Sequence, residues 1–484
     1  MDNVYGDIHA KDVLKQFIED VFSLRREEKW VGIESMMGLL PEIEKFPVKG
    51  IGLQKLKDFL LHEVLPLCRN FRSPFFMAFP DSGNADVALL GSIFSDFAQQ
   101  NLINSKICSP IATYMEAAVI KWFRALVGYD VNEKFEIDNI GGIVTYGGTV
   151  SNTVAMLLAR NKKHPDAYTN GIGGTKSYVI VPHGIAHYSI KSALQWIGCG
   201  SNIIEVKTKN FRYDLKDLEE KLLIFRNKIM ALVVYAGDSR TMTIDDISGV
   251  CNLVKSIDPN IWIHVDACNG FCLYFHEKLK SALNGAELCD SITMDPHKMM
   301  MMPYTASLLL VKNPLSFSTV KSETDLITKE KMSFGQITPF IGSKAWLSLK
   351  IWCVMKGYGQ QGLREIIDKR QKLSQYLRTV VNDHKNLILL NDAQYFSVVF
   401  MFVPDGYETM EVKDINVINK KIHEALFKEG KIFLHQFGLK DNKCVLSNNE
   451  ILYPLRFFSG NPLLTKNVID QMINEVLKLG QKFS

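Results

Sequence analysis

The sequence predicts an α/β protein: a large domain on a mainly parallel, seven-stranded sheet, followed by a smaller α+β unit. Seven short β-rich runs fall between residues 140 and 312, and amphipathic stretches separate most of them. Strand, helix, strand in series means a sheet that is parallel in the main and covered on both faces. Beyond residue 386 short strands and helices mix without that regular alternation.

Taken in order, residues 8–70 read as helices with loops near Pro41 and Pro47. They belong to a helical amino-terminal segment, 1–85. The large domain, 86–360, carries the seven runs: 142–145, 178–181, 203–206, 231–234, 262–265, 291–294 and 307–310. Between the third and fourth lies DLKDLEEKLLIFRNK (214–228), whose apolar residues recur at three and four positions, as on one helix face. Residues 346–382 read as one or two helices. The last unit, 361–484, takes a strand at 396–403 and helices at 416–430 and 466–479.

At roughly 150 residues per domain, 484 residues allow about three such units. Apolar residues at 47% and charged residues at 22% fit a compact folded chain rather than a disordered one. A net charge of +4 without a basic stripe argues against a nucleic-acid partner. The first residues are charged where a secretory signal needs an apolar run, and no run of about 18 apolar residues occurs, so the expectation is a cytoplasmic protein without a membrane span. Nine scattered cysteines with no CxxC pair read as reduced thiols, and no metal site is expected.

Four stretches carry chemistry. In Asp295-Pro-His297-Lys298 a lysine follows an apolar strand and is flanked by four methionines, where burial is expected to depress its pKa and free the amine for Schiff-base chemistry. On this segment alone an exposed loop lysine fits equally well. His264-Val-Asp266-Ala-Cys268 ends another strand with one carboxylate, suited either to capping a loop or to pairing with a pyridinium nitrogen. Thr145-Tyr-Gly-Gly148-Thr149-Val-Ser-Asn152 joins a strand to a helix through a glycine pair, a turn that presents free N–H groups to a phosphate. It matches neither GxGxxG nor the P-loop pattern. Finally, His183 and His187 follow the second run, in the crevice where open α/β sheets bind ligands.

These motifs, in this order, resemble those of the group II pyridoxal-phosphate-dependent amino acid decarboxylases. SPFFMAFP (73–80), SPIATYMEAAVIKW (109–122) and SLKIW (348–352) are similar to further segments of that family, so the resemblance spans some 390 positions, from about Pro74 to Pro462. It implies an aspartate-aminotransferase-like (fold type I) large domain, pyridoxal 5'-phosphate as cofactor, an amino acid substrate, and a homodimer with exchanged amino-terminal helices. Residue by residue, Lys298 resembles the lysine that links the cofactor, Asp266 the partner of its ring nitrogen and His187 the imidazole stacked on its ring. Gly148 and Thr149 resemble the phosphate cradle, with Asn152 in the same motif; His297 neighbours the lysine, and Cys268 stands where a small residue usually meets the other ring face. Arg456 resembles a carboxylate-binding arginine, and Asp81 lies near the family's substrate side-chain pocket, where it would favour a basic or hydroxylated amino acid.

Three departures stand out. Asp238 replaces a threonine expected close to the cofactor, so an acid sits near the phosphate or phenolate unless Arg240 pairs with it. No tyrosine lies between Thr305 and Gly357, where many relatives carry a proton-donating one on a mobile loop, and Phe334 is near the expected place. Lys344 stands where arginine is common. Decarboxylation to the amine is the leading expectation; the missing tyrosine keeps a decarboxylating, deaminating aldehyde synthase open, and a cofactor-binding scaffold without turnover is the alternative from another class.

Overall fold

A computed structural model describes residues 10–24, 30, 38–81, 83–322, 330–393, 395–447 and 450–484. All seven predicted runs form one sheet: β1 (Gly142–Thr145), β2 (Tyr178–Pro182), β3 (Ile203–Val206), β4 (Ile229–Tyr235), β5 (Trp262–Asp266), β6 (Ser291–Met294) and β7 (Ser307–Val311). Their spatial order is β1-β7-β6-β5-β4-β2-β3. Only β7 runs against its neighbours, which are β1 and β6; the other pairings are parallel. Every residue of β4 and β5 is buried, so both faces of the sheet centre are covered, which explains apolar runs without polar alternation.

The second part is a four-stranded antiparallel sheet. Its strands are β8 (Leu387–Leu389), β9 (Ser397–Phe402), β10 (His435–Gln436) and β11 (Leu455–Phe458), in the order β8-β9-β11-β10. Helices Val412–Glu429 and Lys466–Phe483 close its core through Ile418, Ile422, Ile469 and Val476. One long helix, Ser348–Asp383, spans the two parts, with Leu363 in the large core and Leu377 in the small one. It breaks at Gly359, whose φ of 62° is open to glycine but costly for other residues.

The amino-terminal segment is not a separate layer. Phe75 and Met77 belong to the small core, Phe76 bridges to Phe433, and Trp30 stacks on Phe433 with ring centroids 4.5 Å apart. The segment therefore ties the small sheet to the loop that carries Asp81.

Packing within the small core is tight. A Cβ added at Gly480 would lie 2.4 Å from the Phe402 ring, deep in the small core. Gly480→Ala is therefore expected to lower stability by about 1–3 kcal/mol through overpacking, read as a lower denaturation midpoint in urea; an unchanged midpoint would mean that this contact is slack.

Candidate active site

The loops after β1, β2, β4, β5 and β6 meet along one edge of the sheet, where the strands' carboxyl ends leave a crevice. A cavity of about 310 Å3 opens there, lined by Gly148, Thr149, Asn152, His187, Asp266, Cys268, Asp295, His297 and Lys298 among others. A second chamber of about 510 Å3 adjoins it and shares His187, Tyr188, Ser239, Asn269 and Lys298 with its lining. Asp81, Arg240, His435 and Arg456 line that outer chamber.

The amide of Asn152 organises the inner cavity. Its Nδ2 donates to Asp266 Oδ2 at 3.0 Å and to Ser189 Oγ at 2.9 Å. Its Oδ1 lies 3.0 Å from His264 Nε2, and since both amide hydrogens are spent, the imidazole must be the donor. His264 Nδ1 then accepts from Ser291 Oγ at 2.8 Å, and Ser291 in turn accepts from Trp262 Nε1 at 2.7 Å. On the other branch the Ser189 hydroxyl reaches His187 Nδ1 at 2.8 Å, leaving the His187 proton on Nε2. The His187 backbone N–H donates to the Tyr235 hydroxyl at 2.9 Å, and burial lowers the pKa of its ring, which favours the neutral form.

Lys298 reverses its expectation. Burial works to depress the ammonium, but the Asp295 carboxylate lies 2.7 Å from Nζ and outweighs it, so Lys298 titrates above its ordinary range. Asp295 is itself buried and accepts from the Ser307 hydroxyl, while Lys298 and the neighbouring histidine hold it ionised against the cost of burial. His297 is fixed by its Nδ1, 2.9 Å from the Ala306 carbonyl oxygen.

The glycine pair meets two needs. Gly147 takes φ 118°, and a Cβ on Gly148 would lie 2.8 Å from Asp295 Oδ2 and 2.9 Å from Cys268 Sγ. The helix that follows, Gly148–Lys163, has no side chain capping its first N–H groups, and a helix start of that kind suits an anion. Asn269 lines both chambers, and its buried Oδ1 has no partner among the described residues. A phosphate cradle, a carboxylate at the strand end, an amine and an unsatisfied acceptor around one cavity fit pyridoxal phosphate.

Several expectations need correction. The Asp238 carboxylate points into its own loop, accepting from the N–H groups of Arg240 (2.8 Å), Thr241 (2.9 Å) and Thr243 (2.9 Å) and from the Thr241 hydroxyl. It does not line the inner cavity. Phe334 is buried in the large core of its own chain, and the loop residues 323–329 before it lie outside the described residues. Lys344 is a structural cation, fully buried 3.1 Å from Glu116. Arg456 does line the outer chamber, but its Nη1 and Nη2 already donate to the carbonyls of Ser239 and Ala78.

Sequence reasoning missed His264, Ser189, Asn269 and Asp295 as parts of the site. His264 opens the quoted motif around Asp266, Asn269 directly follows it, and Asp295 precedes the lysine by three residues, which was the available signal. Lys350, in SLKIW, donates to the carbonyls of Pro303 (3.2 Å) and Thr305 (3.1 Å) and so braces a wall of the cavity.

Burial pushes the His264 pKa from its ordinary 6.5 down to about 4. The unfolded chain takes up that proton as pH falls through 6.5, whereas the folded chain resists until about 4, so this group is expected to cost stability progressively across that window, reaching about 3 kcal/mol. Urea titrations between pH 7 and 4 check this: His264→Asn should flatten the slope, and an unchanged slope would assign the loss elsewhere.

Comparison with known proteins gives the same answer from outside. The model of the pyridoxal-dependent decarboxylase conserved domain matches residues 36–403. An aromatic-L-amino-acid decarboxylase of Bacillus atrophaeus is 24% identical over 459 residues, covering 91% of this chain and 88% of that protein. The acidic amino acid decarboxylase GADL1 of Homo sapiens is 25% identical over 409 residues, covering 77% and 74%. A crystal structure of Oryza sativa TDC with PLP and tryptamine superposes with a TM-score of 0.87 at 17% identity, over 100% of this chain and 99% of that one. With a cavity whose lining suits the cofactor and a family match across most of the chain, the protein belongs to the pyridoxal-dependent decarboxylases and is a pyridoxal-phosphate-dependent carboxy-lyase.

Proposed function

We propose that the protein decarboxylates an L-amino acid to its amine. The observation that carries this reading is the convergence of Lys298, Asp266 and His187 on one cavity under the hydrogen bonds of Asn152. Pyridoxal phosphate, when bound, supplies an electron sink for the pair released as carbon dioxide departs. Lys298, which lines this cavity with its Nζ 2.7 Å from Asp295, would hold the cofactor through its aldehyde group. Asp266, held by Asn152 and by the Cys268 N–H at 3.2 Å, would supply the anion that favours a positive charge on the ring nitrogen. Gly148 and Thr149 would hold the phosphate, and His187 and Cys268, which line the same cavity, would hold the ring. His297 lies beside the anchoring lysine, and Asp238 acts through the loop that presents Ser239 to both chambers.

Arg456 is assigned to the substrate's α-carboxylate through its buried Nε, which lacks a partner among the described residues. His187, with its proton on Nε2, is the donor that returns a proton to carbon in the absence of a loop tyrosine. Asp81 is assigned to the substrate side of the outer chamber. The same reading makes the enzyme a cytoplasmic homodimer. Support for a second copy is the row of exposed Leu90, Ile93, Phe94 and Phe97 on helix Asp86–Ala98, since a single chain leaves that apolar face uncovered.

The missing loop tyrosine favours one second reading, a decarboxylating, deaminating aldehyde synthase. A panel of L-amino acids followed for carbon dioxide, ammonia and hydrogen peroxide separates the two: carbon dioxide alone supports decarboxylation, and all three support the synthase. Silence across the panel would leave a scaffold without turnover. Lys298→Ala is expected to lose both the yellow absorbance of the holoprotein and turnover. Asp266→Ala should keep phosphate affinity while lowering turnover by about 100- to 1,000-fold, the usual weight of one preorganised charge; retention of activity in either variant would overturn the assignment.

A further inference from the structure

The outer chamber holds a cation without a partner. The Arg240 guanidinium forms no hydrogen bond or ion pair among the described residues, although the residue lines the chamber beside Phe79, Asp81, His435 and Arg456. Its backbone is not free: its N–H is held by Asp238 at 2.8 Å, in a loop that the same carboxylate also anchors at Thr241 and Thr243. The loop therefore presents the side chain from a fixed base. Its charge is felt across the chamber, where it works to lower the pKa of His187, His435 and Arg456.

The charges around it select by sign. Arg456 is a second cation, buried and tied to two carbonyls. Burial, with Arg456 and other cations nearby, pushes His435 down to about 3, so it is neutral. Asp81 is the opposing acid, and burial pushes its carboxyl upward, against the pull of Lys298, His297 and Arg456. A cationic side chain in this chamber meets one acid and two arginines. An apolar one that fills it strips water from Arg240 and returns no partner.

We propose that Arg240 is the specificity-determining residue of the outer chamber and that the substrate is an acidic amino acid, with an anionic carboxylate or sulfinate on its side chain. The proposal rests on the decarboxylase reading: Arg456 takes the α-carboxylate, and the planar fork of Arg240 takes the second anion in two parallel hydrogen bonds. It sets aside the basic or hydroxylated substrate that Asp81 alone suggests.

The test uses the holoenzyme and two readouts. Binding of L-aspartate, L-glutamate and L-cysteine sulfinate is compared with that of L-glutamine, L-phenylalanine and L-lysine through the change in cofactor absorbance, and carbon dioxide release is followed in parallel. Acidic amino acids are expected to bind and react best. Arg240→Gln should weaken their binding and kcat/KM by about 10- to 100-fold, the weight of hydrogen bonds to a charged group, while leaving glutamine within a few-fold; Arg240→Lys should recover part of the loss. A wild-type preference for aromatic or basic amino acids, or an equal loss for every ligand in Arg240→Gln, overturns the assignment. Carbon dioxide from aromatic or basic amino acids would do so while leaving decarboxylation standing. Binding of acidic amino acids that depends on Arg240, without carbon dioxide, would reject decarboxylation and keep the assignment. Neither binding nor release from any of them rejects both.

Discussion

A carboxylate buried at the end of a central strand must be given donors, and at Asp266 the side-chain amide of Asn152 supplies one while tying in the rest of the site. An amide has two hydrogens and one acceptor oxygen. Asn152 spends one hydrogen on Asp266 and the other on Ser189, which sets His187, so its oxygen can only accept, and His264 must donate to it. The tautomers of two histidines and the orientation of the carboxylate thus follow from one residue on the helix after β1. The line runs on through Ser291 to Trp262 in the neighbouring strands, so the parallel register of β5 and β6 is part of the same constraint.

The second condition is charge balance. Asp295 and Lys298 are three residues apart on one turn, and each makes the burial of the other tolerable. Asp295 is a buried carboxylate beside Gly148, and besides Lys298 it has the Ser307 hydroxyl and the nearby His297 to stabilise it. The outer chamber is balanced differently. There the small sheet brings Arg456 and His435 up to the loop after β4, and Phe75 and Met77, packed in the small core, tie the Asp81 loop to it. The outer chamber is thus lined by both parts of the chain, whereas the inner cavity is built from the large one.

The strands were legible because a sheet covered on both faces demands apolar runs, and all seven runs became strands. Lys298, Asp266, His187, Gly148 and Thr149 were legible because each sits where a strand ends, and the sheet brings such ends together. What was not legible depended on direction. Asp238 carries the charge of a site residue, but the loop's own N–H groups capture its carboxylate. Lys298 has the burial that lowers a lysine pKa, but a partner three residues away reverses the sign. Phe334 stands at the right place in the sequence, yet an aromatic ring gains more from the large core than from a polar cavity. His264 looked like one more strand residue until Asn152 was seen opposite it.

The central claim is that Lys298 holds the cofactor, although the buried Lys350 braces a wall of the same cavity. Burial pushes Lys350 down to about 8, which on acidity alone makes it the readier amine, but it is spent on the carbonyls of the 303–305 loop. Borohydride reduction of the holoenzyme fixes the cofactor to whichever amine holds it, and peptide mass spectrometry reads the position. The account predicts the phosphopyridoxyl adduct on Lys298; an adduct on Lys350 or any other lysine, or none at all, would contradict it.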